Sequence, residues 1–173
     1  TGNASLCMRI VDKNLFNGLC IPEGKRVEDF YTVICLTHNN NGTAIYRYPF
    51  YNYFFHTGSV TKSGCGNIYL DALYFKDRAI EFLDNKYDLD TEIEYYRLRC
   101  YYLFSISLIK KEFKSYKNDI KEIKKYLKQH RKDIKNNKDI TKKIKIVLLL
   151  ASYSMRLTRT LYIIKNIFKK EKY

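Results

Sequence analysis

Pro22-Glu23-Gly24-Lys25-Arg26-Val27-Glu28-Asp29-Phe30-Tyr31-Thr32-Val33-Ile34 is the stretch in which the chain changes its period. Pro-Glu-Gly is turn chemistry, because proline presets φ and glycine accepts a positive φ without strain. From Glu28 onward Phe30, Val33, Ile34 and Thr37 fall on one face at helical spacing. His38-Asn39-Asn40-Asn41-Gly42 is a stop signal. A helix over Glu28–His38 is expected, with two carboxylates in its first turn where the helix dipole favours negative charge.

Upstream, residues 1–27 set short apolar runs, Leu6-Cys7-Met8 and Leu15-Phe16, between Asn-Gly and Pro-Glu-Gly punctuation, the pattern of short strands and turns. Downstream comes Pro49-Phe50-Tyr51-Asn52-Tyr53-Phe54-Phe55-His56-Thr57-Gly58-Ser59-Val60-Thr61. Thr43–Arg47 and Phe50–Phe55 are rich in β-branched and aromatic residues, so strands are expected there, with Pro49 marking an edge or a kink. Gly58, Gly64 and Gly66 mark a loop. Helices are then expected over Asn67–Lys86, with Leu70, Leu73, Tyr74, Ala79, Ile80 and Leu83 as its stripe, and over Asp90–Ile109, Lys111–Lys132 and Thr141–Lys170. The last is interrupted near Ser152-Tyr153-Ser154, and Asp88-Leu89-Asp90 reads as a cap.

Composition narrows the class. With 173 residues and 46% apolar side chains the chain can bury a core. The net charge of +14 is unevenly divided: residues 110–173 hold 21 Lys and Arg against 6 Asp and Glu, and residues 1–109 are close to neutral. A polyanionic partner therefore meets the last third. Cys7, Cys20, Cys35, Cys65 and Cys100 are odd in number, widely spaced and without a C-x-x-C pair, which suggests neither a zinc site nor a disulfide framework and fits a reducing compartment. The longest apolar runs without charge, Cys100–Ile109 and Ile146–Met155, fall well short of the roughly twenty residues a spanning helix needs.

Taken together, the two quoted stretches resemble the C-terminal half of the catalytic domain of family-2 glycosyltransferases of the GT-A fold. Those enzymes carry Pro-x-Gly-x-x-Tyr-Glu-Asp followed by Pro-Leu-Tyr-Tyr-Tyr-Arg-x-Arg-x-x-Ser-Ile. Here Val27 stands at the family's Tyr, and Phe54 and His56 stand at its two arginines. The resemblance covers about the first half of the chain. It implies an α/β fold, with residues 1–88 forming the acceptor-side half of a GT-A domain and residues 89–173 a mainly α-helical, basic amphipathic tail.

The resemblance also implies an activity: inverting transfer of a sugar from a nucleotide-sugar donor to a glycan or lipid-linked acceptor in surface polysaccharide biosynthesis. Such chemistry needs a base for the acceptor hydroxyl and positive charge at the leaving diphosphate. By position Asp29 is the base and Glu28 its neighbour on the acceptor. His56 is the implied ligand of a divalent metal, Mn²⁺ or Mg²⁺, and His56 with Lys62 the implied contacts of the donor diphosphate. The family's nucleotide-binding βαβ half and its Asp-x-Asp motif do not precede Pro22, and the chain opens Thr1-Gly2. It is expected to be the rear part of a longer enzyme, inactive alone. The competing reading of Glu28 and Asp29 is that they only complement the helix dipole.

In the tail, Lys110–Lys145 interleaves lysines with Phe113, Tyr116, Ile120, Ile123, Tyr126, Leu127 and Ile134, giving one apolar and one basic face. Ile144–Phe168 is more apolar, with Arg156, Arg159, Lys165, Lys169 and Lys170 toward one side. This is the composition of a helix lying on anionic lipid; with the resemblance it implies a protein in the cytoplasm, peripheral on the inner face of the cell membrane. Packing with a solvated lysine face and self-association are alternatives. No helix-turn-helix, zinc-finger or RNA-binding signature points to nucleic acid. Against the enzyme stands a second class, a non-catalytic basic helical module that binds a membrane surface or a partner protein.

Overall fold

A computed structural model describes residues 5–7, 9–21, 23–44, 48, 51, 52, 54, 66–83 and 86–170, with the side chains of 167–170 left aside. Its helices are α1 (Glu28–Asn39), α2 (Gly66–Leu83), α3 (Asp90–Ser107), α4 (Glu112–Ser115), α5 (Lys117–Gln129), α6 (Arg131–Asn136), α7 (Lys142–Ala151) and α8 (Met155–Lys170). No strand occurs among the described residues, so the α/β expectation is corrected to an all-helical one.

The reason lies in pairing. A strand is stabilised by a neighbour that accepts its backbone hydrogen bonds, and the described segments offer none. Leu15-Phe16 falls in a 3-10 turn, Lys13–Phe16, because the Asp12 carboxylate accepts from the Asn14 amide at 2.9 Å and bends the chain. Of the aromatic stretch, Tyr48, Tyr51, Asn52 and Phe54 are described and are not in strand; the rest of the expected Phe50–Phe55 strand and the Ile45–Arg47 part of the other lie outside the described residues.

The chain divides into two units, Thr1–Ser63 with Asp71–Asp88, and Gly64–Leu70 with Leu89–Tyr173. In the first, α1 buries Tyr31, Thr32, Cys35 and Leu36. This face is turned about one residue from the expected Phe30/Val33/Ile34/Thr37 stripe. Thr32 can be buried because its hydroxyl donates to the Glu28 carbonyl at 2.9 Å. The facing stripe of α2 is Ala72, Phe75, Lys76 and Ala79 at i, i+3, i+4 and i+7, and the Tyr31 and Phe75 rings stack with centroids 5.8 Å apart. Lys76, buried within that stripe, pairs with Asp77.

In the second unit α3 lies against both α7 and α8 around Leu98, Phe104, Leu108, Leu127, Ile134 and Leu148. Lys143, near the start of α7, sits over the rings of both Tyr102 and Tyr162, so α7 and α8 run antiparallel and reverse at Ser152–Ser154, where the sequence breaks the helix. The expected Lys111–Lys132 helix is instead three segments, interrupted at Tyr116 and His130, which leave helical geometry at ψ 31° and 22°. Asp90 does not cap α3: the capping position is Leu89, with no side-chain hydrogen bond, and Asp90 and Glu92 occupy the first turn. Arg159 of α8 donates through Nε to the Leu108 carbonyl at 2.9 Å, satisfying an acceptor at the end of α3.

Candidate functional site

The acid pair begins at the turn before it. Gly24 takes φ +73°, which glycine adopts without cost. Val27 takes φ +68° and ψ 24°, a left-handed conformation in which a β-branched side chain is an outlier. Such strain costs on the order of 1–3 kcal/mol and persists only where the surroundings over-determine it. Asp71 of α2 supplies that determination. Its Oδ2 accepts from the Arg26 amide at 3.1 Å and its Oδ1 pairs with Lys25 Nζ at 3.2 Å. Lys25 Nζ also lies 4.8 Å from the centre of the Tyr74 ring.

The tethered loop delivers Glu28 and Asp29, both half-buried, into the first turn of α1. Asp29 Oδ2 accepts from the Leu6 amide at 3.4 Å. Among the described residues the Glu28 carboxylate receives no hydrogen bond. Adjacent positions on a helix point about 100° apart, so the two carboxylates do not converge on one point. His56 and Lys62 lie outside the described residues, and so do the metal and diphosphate contacts assigned to them. Among the described residues no three His, Cys, Asp or Glu side chains gather where they could hold a metal ion, so that part of the chain does not fit a divalent cation by itself. Asp71 is not legible as a site residue; its partners Arg26 and Lys25 are 45 and 46 residues away in sequence, and it reads locally as an ordinary polar position of α2.

A second concentration of chemistry lies in the tail. Lys117, Lys121, Lys124, Lys125 and Lys128 recur at i, i+4, i+7, i+8 and i+11 along α5 and share one face. Four of them line an open groove with Arg131, Ser152 and Tyr153, and among the described residues no carboxylate lines it. Arg131 is fixed in place: its Nε donates to Ser152 Oγ at 2.9 Å and its guanidinium lies 3.8 Å from the centre of the Tyr153 ring. Among the described residues no helix is long and apolar enough to cross a membrane.

Cys7 and Cys20 are exposed, and two further cysteines are buried. Cys35 and Cys100 are enclosed by their units, and burial pushes the Cys35 thiol above its ordinary range, which keeps it protonated and inert. Compared with known proteins, the chain matches no family model, no curated sequence and no solved structure.

Proposed function

We propose that this chain is the acceptor-side part of an inverting glycosyltransferase, with Asp29 as the base and Glu28 on the acceptor. The Asp29 carboxylate takes the proton from an acceptor hydroxyl as that oxygen bonds to the anomeric carbon of a nucleotide sugar. The bond from that carbon to the diphosphate breaks, and the nucleoside diphosphate leaves with the electron pair. The acceptor is a glycan or a lipid-linked sugar, and the tail holds the enzyme peripherally on an anionic membrane surface.

The observation that carries this reading is the strained Val27 held by the Asp71 tether directly before the acid pair. A carboxylate pair needed only to complement a helix dipole requires no such loop, because any first-turn position serves that purpose. Backbone strain that persists beside titratable groups is characteristic of functional sites. The experiment is Asp29→Asn in the enzyme containing this segment, assayed for transfer and for thermal unfolding. Transfer is expected to be abolished with the melting temperature unchanged; equal activity in variant and parent sinks the assignment.

The lysine-lined groove favours a second reading, in which the chain performs no chemistry and docks as a basic helical module. Under it, Asp29→Asn leaves membrane binding unchanged and costs at most about 1 kcal/mol of stability through the lost helix-dipole complement.

A further inference from the structure

The tail carries two exposed features that lie close in sequence, on either side of the reversal between α7 and α8. One is the groove lined by Lys121, Lys124, Lys125, Lys128 and Arg131. The other begins one turn beyond Tyr153, on α8, where Leu157, Leu161 and Ile164 recur at i, i+4 and i+7 and are 52%, 42% and 42% exposed. At 100° per residue these three fall within about 60° of one another. Met155, on the opposite side of α8, and Thr158, about a quarter turn from the stripe, are buried. Arg156 and Lys165, both exposed, flank the stripe. Single exposed leucines are ordinary, but a row at helical spacing bordered by cations is not.

We infer that the groove and the α8 stripe form one face that docks on an anionic lipid surface, the lysines and Arg131 meeting headgroup phosphates and Leu157, Leu161 and Ile164 entering the acyl boundary. This rests on the reading of the tail as the membrane-facing part of the protein and specifies the residues that make the contact. Charge complementarity selects an anionic occupant, since among the described residues five cations and no carboxylate line the groove. The aliphatic stripe selects lipid over nucleic acid. Base recognition uses aromatic stacking platforms, and among the described residues Tyr153 is the one aromatic ring lining the groove, already covered by Arg131. An amphipathic helix with a cationic border is instead the signature of an interfacial one.

The test uses the 173-residue chain and co-sedimentation with vesicles of phosphatidylcholine, with and without phosphatidylglycerol. The parent is expected to bind only the anionic vesicles and to weaken as salt rises. Replacing Lys121, Lys124, Lys125 and Lys128 together by Gln is expected to weaken binding several hundredfold, at about fivefold per lysine. The matched replacement of Lys132, Lys135, Lys138 and Lys142 removes the same charge outside the groove and is expected to cost far less. Leu157→Ser with Leu161→Ser and Ile164→Ser is expected to leave only a weak attraction that moderate salt abolishes. Far-UV circular dichroism verifies that each variant keeps its helices.

If the two lysine sets cost the same, the assigned face is wrong while a membrane-facing tail survives. If the parent ignores anionic vesicles, the membrane reading itself falls. Tighter binding to a single-stranded RNA oligonucleotide than to vesicles overturns the choice of lipid.

Discussion

Replacing Asp71 should loosen the loop that presents the acid pair, and the size of the effect can be worked from its contacts. The Asp71 side chain is 14% exposed and accepts from the Arg26 amide, while its lysine partner is 40% exposed. A hydrogen bond to a charged group contributes roughly 1.5–3 kcal/mol; an ion pair with so exposed a lysine adds at most about 1 kcal/mol. Alanine returns about 0.5 kcal/mol through its better helix propensity in α2. Asp71→Ala should therefore destabilise the first unit by about 2 kcal/mol. Asp71→Asn keeps an acceptor for the Arg26 amide and should cost about half as much. The assay is urea unfolding combined with hydrogen exchange of the segment holding Arg26, which reports on that unit directly. With the tether gone, the left-handed Val27 loses the hold that α2 supplies, so exchange at Arg26 and the residues after it should accelerate. An Asp71→Ala variant within about 0.5 kcal/mol of the parent, or an Asn variant worse than Ala, refutes the reasoning.

Phe75→Ala empties a fully buried site beneath Tyr31 and should cost about 3–5 kcal/mol by thermal melting; a loss under about 1 kcal/mol means that the first core is misplaced. Tyr126 donates to Glu94 at 2.7 Å and accepts from Arg97 at 3.0 Å, which links α5 to α3. Tyr126→Phe keeps the ring under Arg97 and should cost about 1.5–3 kcal/mol, because both lost hydrogen bonds are to charged partners; a cost under about 0.5 kcal/mol counts against the link. Burial is the leading cause that holds Tyr31, Tyr69, Tyr96 and Tyr126 above the ordinary phenol value of 10.0. The unfolded chain ionises these groups first, so their contribution is complete below pH 10.0 and is lost as pH climbs through the folded values. Urea midpoints should fall between about pH 9 and pH 11, and a flat profile counts against the burial of these phenols.

What the sequence made legible is what local chemistry decides. The acidic first turn after Pro-Glu-Gly starts α1, the asparagine run ends it near Asn39, and Ser152-Tyr153-Ser154 separates α7 from α8. Each is written within a few residues of where it acts. Rotation of the buried face of α1 toward Tyr31 and Cys35 was not legible, because the position of α2 chooses it and helical spacing alone admits several neighbouring stripes. Strand propensity in the first unit likewise said nothing of whether a partner strand exists to satisfy it. Of the tail groove, the lysine stripe of α5 is visible as a repeat, but Arg131, Ser152 and Tyr153 join it only through the packing of α5 and α6 on α7. Of the acid site, the pair was legible and its tether was not.

Arg131, clasped between the Tyr153 ring and the Ser152 hydroxyl, differs in kind from the lysines around it. Its rotamer is chosen before any anion arrives, so little of the roughly 2 kcal/mol of side-chain entropy carried by a free arginine remains to be lost on contact. The lysines keep theirs and swing on flexible stems. One immobile cation among mobile ones makes a surface with a single fixed point of registration and generous tolerance everywhere else. Such a surface discriminates poorly between anions of different spacing and size, and responds mainly to how densely negative charge is laid out before it.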